Sequence, residues 1–296
     1  MLAFCVLAPL GDAVAKILGQ SVPIGQLLLV RFGVQAVALI PLVVLTARPW
    51  RMSRRVFWLA TWRTALHISG IGMMFTALKF LPLADAVAIA FVMPFLMLLL
   101  GRYVLGEEVG TRRLAACVVG FAGTLLVVQP SFAEVGWPAL LPLGVAVVFS
   151  LFILTTRQIA KETDPIALQA VNGVMACVVL VPALLIGHGR GFAPLVLQEP
   201  TVYEWWLMLA IGLIGTMAHL LMTWSLRYAP AATLAPMQYL EIPIATIFGL
   251  MIFGDLPNGL AAAGIVITMA AGLYIVQRER LTARAQASVE LAEPPV

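Results

Sequence analysis

Leu78-Lys79-Phe80-Leu81-Pro82 reads again as Leu226-Arg227-Tyr228-Ala229-Pro230, 148 residues further along the chain. Gly106-Glu107 returns as Gly254-Asp255 at the same spacing, and Leu125-Leu126-Val127-Val128-Gln129 returns as Leu273-Tyr274-Ile275-Val276-Gln277. An offset kept over three helices' worth of sequence marks a duplicated unit. In a very apolar chain, duplication points to a transporter built from two pseudo-symmetric halves, with its site between them near mid-membrane.

The 296 residues are 62% hydrophobic and 11% charged, against about 25% charged in soluble domains. Bilayer is the natural solvent for such a chain, and each spanning helix needs about 20 mostly apolar residues. Apolar runs broken by Pro, Gly and charge predict ten helices: 2–19, 24–46, 57–79, 83–104, 112–130, 138–157, 165–187, 203–226, 231–253 and 258–278. The fold class is therefore all-α and integral to the membrane. The polar stretch 279–296 reads as a disordered cytoplasmic tail. The first apolar run lacks a basic start and an Ala-x-Ala site and carries Asp12 and Lys16, so no cleavable signal is expected.

The net charge of +4 does not imply nucleic acid, because the basic residues sit in short loops on one face. Those loops hold Arg48, Arg51, Arg54, Arg55, Arg102, Arg112, Arg113, Arg157, Lys161 and Arg227. By the positive-inside rule both termini are cytoplasmic, and Arg63 is close enough to that face to snorkel. Five helices per half is an odd number, so the second copy enters from the opposite face. The halves, 1–130 and 138–278, form an inverted repeat, an architecture that supports alternating access.

Cys5, Cys117 and Cys177 all lie in apolar runs and read as small buried hydrophobes, not as a disulfide framework or zinc site. No cofactor or metal is expected. The chain has no Walker A sequence, no His-Glu-x-x-His and no Gly-x-Ser-x-Gly, so neither ATP hydrolysis nor intramembrane catalysis is expected.

Ten helices, the five-helix repeats, and the Gly-Glu and Gly-Asp turns before the last helix of each half resemble the drug/metabolite transporter superfamily, in its ten-helix EamA-type branch. Gly11-Asp12-Ala13-Val14-Ala15-Lys16 followed by Leu29-Val30-Arg31-Phe32 looks like the opening of the first repeat in many members. Within the branch the chain resembles bacterial amino-acid exporters, aromatic ones included. The resemblance implies export of small metabolites across the inner membrane. Other members carry S-adenosylmethionine, sugars, nucleotide derivatives or drugs.

Polar groups at mid-membrane are costly unless they face a cavity or a partner, which makes them the candidate substrate-binding residues. Asp12 and Lys16 are one turn apart and can face each other, either as a self-satisfied pair or as cavity groups. His67 has Gly215 as its repeat mate, and His219 lies one turn further on that face, so symmetry aims both histidines at the interface. Each is either a satisfied core residue or a group for binding carboxylates or exchanging protons. Glu241 sits among Gln238, Tyr239 and Pro243 and needs a partner such as Arg31 or Lys16. Phe91, Phe149, Phe152 and Met74 supply adaptable apolar walls or ordinary helix packing. Pro94 and Pro243 fall mid-span in helices 4 and 9, one residue out of repeat register. Each should kink its helix, and they are the candidate gating hinges. Glycines 120, 123, 264 and 272 permit tight packing of each half's last helix, within the chain or in a dimer, and the sequence does not choose between monomer and dimer. The expected function is broad-specificity export of amino acids by a secondary transporter. The alternative is another solute, such as a cationic drug or S-adenosylmethionine, neutralised by Asp12 and Glu241.

Overall fold

The computed structural model of the chain describes residues 1–104, 111–228, 234 and 237–292. Two of the repeated motifs, Gly106-Glu107 and Ala229-Pro230, lie outside them, as does the start of the ninth expected span. The described residues form helices and turns: α1 (Leu2–Leu18), α2 (Ile24–Leu45), α3 (Arg54–Ala77), α4 (Leu83–Ala90), α5 (Met93–Val104), α6 (Thr111–Val135), α7 (Leu141–Ile159), α8 (Pro165–Gly189), α9 (Val202–Tyr228), α10 (Glu241–Phe248) and α11 (Gly259–Ala292). Among the described residues, five stretches are long and apolar enough on their own to cross a bilayer: Ile24–Leu45, Val118–Val135, Trp137–Ile159, Pro165–Gly189 and Val202–Tyr228. The other spans are interrupted, or carry charge that must be matched inside the bundle.

α4 and α5 together make one crossing. α10, the π-helical turn Gly249–Phe253 and the described residues before Glu241 belong to another. The chain is a ten-helix bundle of two inverted five-helix repeats. Its two ends are set by the connections. One carries Met1 and the loops after α2 and α7. The far end carries the turns after α1, α3 and α8. Across the axis α2 packs on α8, α4 on α10, α6 on α11, α1 on α9, and α3 on α7. The first three join a helix to its own copy, and the last two exchange under the repeat, which is the pattern of a two-fold axis lying between the halves.

At the α6–α11 crossing a Cβ added to Gly264 would lie 2.5 Å from the Gly123 carbonyl oxygen. Thr268 Oγ1 there reaches the carbonyl of Gly120, its own repeat mate, at 3.4 Å. The small residues are thus used to close the two halves on one another. Gly120 and Gly272 also leave room for the rings of Phe95 and Tyr239.

Both prolines expected to kink their helices sit just after a break. Pro94 is the second residue of α5, and α4 ends at Ala90. Pro243 is the third residue of α10, after a turn at Tyr239–Leu240. A proline ring clashes with the carbonyl four residues earlier, which here is Ala90 or Tyr239, so the helix stops there. The breaks at Phe91–Val92 and Tyr239–Leu240 are in repeat register although the prolines are not. Phe91 and Tyr239 meet across the axis, with ring centroids 5.3 Å apart.

Two boundaries differ from the sequence expectation in ways that matter. Helix α3 starts at Arg54, because Ser53 caps it by accepting from the Val56 amide (3.3 Å). This adds a turn, sets Arg63 deeper, and removes the basis for its snorkelling. And α11 runs on to Ala292, so the polar stretch read as a disordered tail continues the helix.

Candidate functional site

The axis encloses a cavity of about 890 Å³ of atom-free space, its open mouth included. Its walls come from both halves: α1, α2, α3, α4 and α5 on one side, α7, α9, α10 and the break before α10 on the other. Phe4, Phe75, Phe91 and Phe149 supply ring surface, and Met74, Met93 and Met222 supply flexible thioethers. Among the described residues, five polar side chains enter it: Asp12, Arg31, His219, Gln238 and Glu241.

These polar groups are poorly satisfied by the protein. Arg31 is 3% exposed and lies over the Phe32 ring (4.8 Å); its Nη1 has no hydrogen-bond partner. Among the described residues it forms no ion pair within 4 Å, although Asp12 is near enough to act on it electrostatically. Gly215 makes its place: a Cβ there would lie 2.9 Å from Arg31 Nε and 3.0 Å from Nη2. Asp12 and Glu241 act on one another as like charges, and Glu241 Oε1 is buried without a partner. A buried charge left unpaired costs several kcal/mol (the order expected for ions in low dielectric), so these groups are the most polar part of an otherwise apolar wall and the costliest to leave dry.

The residues singled out in the sequence divide by position. Asp12, Met74, Phe91, Phe149, His219, Gln238 and Glu241 line the cavity. His67 stands behind His219, with ring centroids 4.3 Å apart, and is fully buried. Phe152 packs on His67 (4.6 Å), also fully buried. Tyr239 is 2% exposed between Phe91 and Gly272. Lys16 does not face Asp12: its Nζ donates to Asp255 Oδ2 (3.1 Å) and to the Leu81 carbonyl (2.9 Å), and it lies over the Phe253 ring (4.9 Å). Arg31, offered by the sequence as a partner for Glu241, lines the cavity itself.

Lys16 and Asp255 belong to different halves and close the far end of the bundle. Gly254 takes φ +70°, ends the π-helical turn and sets Asp255 in place, which is the structural use of the second Gly-Asp repeat motif. Beneath this pair Leu18, Leu78, Leu81 and Leu83 are packed at no more than 1% exposure. Toward the other end the cavity continues into a smaller pocket that shares Ile153, Met222 and Gln238 with it and reaches Met1, Met97 and Leu234. Among the described residues no cluster of His, Cys, Asp and Glu could hold a metal ion.

The EamA-like transporter family model matches the chain twice, over residues 1–129 and 136–277. The chain belongs to this family. It is a multi-pass membrane transporter. It is 29% identical over 242 residues to a riboflavin transporter of Rhizobium johnstonii, covering 79% of this chain and 72% of that protein. It is 24% identical over 269 residues to an S-adenosylmethionine uptake transporter of Rickettsia bellii, covering 91% and 89%. A solved crystal structure superposes with a TM-score of 0.69 at 18% identity, over 93% of this chain and 95% of the other, and attests the fold. Neither of these two named relatives is an amino-acid exporter.

Proposed function

We propose that this chain moves a heteroaromatic metabolite of the flavin or nucleoside-derivative class across the bacterial inner membrane by alternating access, with riboflavin the first solute to test. The observation that carries the reading is the cavity: phenylalanine faces beside a compact set of unsatisfied donors and acceptors. Phe91 and Phe149 would stack on a flat ring. Arg31, Gln238 and His219 would meet its polar edge, and Asp12 and Glu241 would take hydroxyls, ring N–H groups or a cationic centre. The named relatives support the same class.

The two halves, 1–130 and 138–278, would rock about the axis, with the breaks at Pro94 and Pro243 as the hinges. With both termini cytoplasmic, as the basic loops favour, the Lys16–Asp255 end faces outward and the cavity's continuation faces inward. Export was the expectation from sequence. One named relative is an uptake protein, so the direction follows from the gradients and coupling of each cell.

The test is flux into proteoliposomes for labelled riboflavin, S-adenosylmethionine and phenylalanine, with and without a pH gradient. Saturable riboflavin flux lost in Arg31→Ala supports the reading. Saturable phenylalanine flux without flavin flux would return the assignment to amino acids. S-adenosylmethionine flux alone, abolished by Glu241→Gln, would move it to the cationic solute.

A further inference from the structure

Behind the polar wall of the cavity a buried clamp ties α2 to α8 and α9. Gln35 and Gln169 are both 0% exposed, and neither lines the cavity. Gln35 Nε2 donates to the Gln169 backbone carbonyl (2.7 Å) and to Gln169 Oε1 (3.3 Å). Gln169 Nε2 donates to the His219 backbone carbonyl (2.9 Å) and to Thr223 Oγ1 (3.0 Å). Carbonyl oxygens only accept, so the donors run one way, from Gln35 through Gln169 to His219. Thr223 Oγ1 donates to the same His219 carbonyl (2.7 Å). Gln35 belongs to the first half and the other three to the second, so the clamp joins the halves.

Two cavity donors hang directly on this clamp. Arg31 is one turn before Gln35 on α2, and His219 is the residue whose carbonyl is held. The three helices are close here. A Cβ on Gly212 would lie 2.5 Å from Val34 Cβ, and one on Gly215 2.9 Å from Arg31 Nε. Gly173, one turn after Gln169, brings α8 onto α2: a Cβ there would lie 2.9 Å from the Ala36 amide nitrogen. Apolar packing alone would hold such helices together, but a slide along the axis exchanges one apolar contact for another. Buried amides fix the register, because a slip leaves their donors and acceptors unpaired inside the membrane.

The repeat does not account for the clamp. Under the 148-residue offset Gln35 maps to Ala183 and Gln169 to Ser21. The equivalent point of the α2–α8 crossing is therefore held without a pair of amides, and Ser21 bonds to Glu204 instead. The duplicated fold closes there without this device, which occurs on the side that carries Arg31 and His219.

We propose that Gln35 and Gln169 are positioning residues for the solute: they lock the register of α2 against α9 and so hold the Arg31 guanidinium and the His219 ring at one spacing across the junction of the halves. They act through Arg31 and His219 and make no contact with the solute themselves. A solute edge that matches the spacing of these two groups is selected over one that meets only one of them. That a solute reads the spacing rests on the cavity being the transport site, as proposed above; that the clamp sets the spacing does not.

The test uses the full chain, 15N-labelled at arginine, in lipid bilayers, with the Arg31 Nε signal assigned by its loss in Arg31→Ala. Gln169→Met keeps the length of the side chain and removes its hydrogen bonds, and Gln35→Met does the same on α2. The wild type should give one Arg31 Nε signal, and each variant should shift or split it. The riboflavin Kd should rise about tenfold in Gln169→Met, the loss of one oriented hydrogen bond to the solute. In an Arg31→Ala background the same substitution should raise it by less than about threefold, because the group being positioned is gone. An Arg31 signal unchanged in both methionine variants, or a Gln169→Met loss of equal factor with and without Arg31, overturns the proposal. If the signal moves as stated while the wild type binds no riboflavin, the clamp stands and the flavin reading falls.

Discussion

Lys16→Ala should open the far end of the cavity. In the present conformation Lys16 Nζ is held by Asp255 Oδ2 at 3.1 Å and by the Leu81 carbonyl at 2.9 Å, and the side chains are 15% and 36% exposed. The half-exposed carboxylate lowers the worth of the ion pair to the upper part of the surface range, about 0.5–1 kcal/mol. The charge-assisted bond to a backbone carbonyl adds about 1 kcal/mol. Losing both removes about 1.5–2 kcal/mol from the closed far end only, because Lys16 and Asp255 sit on halves that must part when that end opens. At 1.4 kcal/mol per decade, the closed population falls by roughly 10- to 30-fold relative to the open one. The assay is accessibility of a cavity cysteine, Phe75→Cys in a background without native cysteines, to an impermeant thiol reagent added from the far side. Labelling should speed up by about the same factor. Asp255→Ala alone should reproduce part of it, because it removes the ion pair and leaves the bond to the Leu81 carbonyl. In the double variant the two effects should fall short of additive by about 0.5–1 kcal/mol. Unchanged labelling in Lys16→Ala, or strict additivity in the double variant, would refute the idea that this pair holds the end shut.

Other perturbations separate the cavity from its scaffold. Gly215→Ala puts a methyl group 2.9–3.1 Å from Arg31 Nε, Nη2 and Cζ; it should move the guanidinium and weaken solute binding about fivefold, roughly 1 kcal/mol, with little change in melting temperature, both read on purified protein. Arg63→Ala removes a large, fully buried side chain and should destabilise by about 2–4 kcal/mol. Arg63→Met should cost less than half of that, because packing on Phe152 is kept and a desolvated charge is gone; equal losses in denaturation would count against this. Pro94→Ala and Pro243→Ala let the helix run on through Phe91–Val92 or Tyr239–Leu240, gaining about one backbone hydrogen bond, ~1 kcal/mol, in one conformation. Turnover should slow, and unchanged rate and accessibility in both would remove the hinge role.

Much of the bundle was legible because lipid leaves few choices. Backbone groups must pair within helices, so apolar length and the 148-residue offset fix spans and pairing together. Cavity positions were harder to read. Asp12, His219, Gln238 and Glu241 announced themselves as polar groups at depth. Lys16 did too, but one turn along α1 carries it beyond the cavity to the far-end turn, where a long stem finds Asp255. Arg63 was misplaced through a helix boundary. Starting α3 at Arg54 puts Arg63 nine residues in, about 14 Å at 1.5 Å per residue, close to the middle of a core about 30 Å thick. A stem cannot snorkel that far, and the side chain turns to Thr156 and Asn172 instead. The residue that sets this boundary is Ser53, whose hydroxyl accepts from the Val56 amide.

The duplicated scaffold is symmetric, but its chemistry is not, and this bears on what the cavity can hold. The breaks and the ring pair Phe91 and Tyr239 obey the repeat. The polar cavity residues do not: under the 148-residue offset Asp12 maps to Ala160, Arg31 to Val179, His219 to Ile71, Gln238 to Ala90 and Glu241 to Met93. Three of those apolar mates, Ile71, Ala90 and Met93, line the same cavity from the other half. Positions equivalent by descent are thus polar on one side of the axis and apolar on the other. The polar groups gather on α1, α2, α9 and the broken span at α10, facing an apolar wall from α3, α4, α5 and α7. A solute that satisfies both walls has a polar edge and an apolar edge, and it binds in one orientation. In the rocking motion proposed above, the backbone would exchange roles across the axis while the charges stay where they are. The same polar wall would then hold the solute in both conformations, and a symmetric solute would leave one wall unmatched in either.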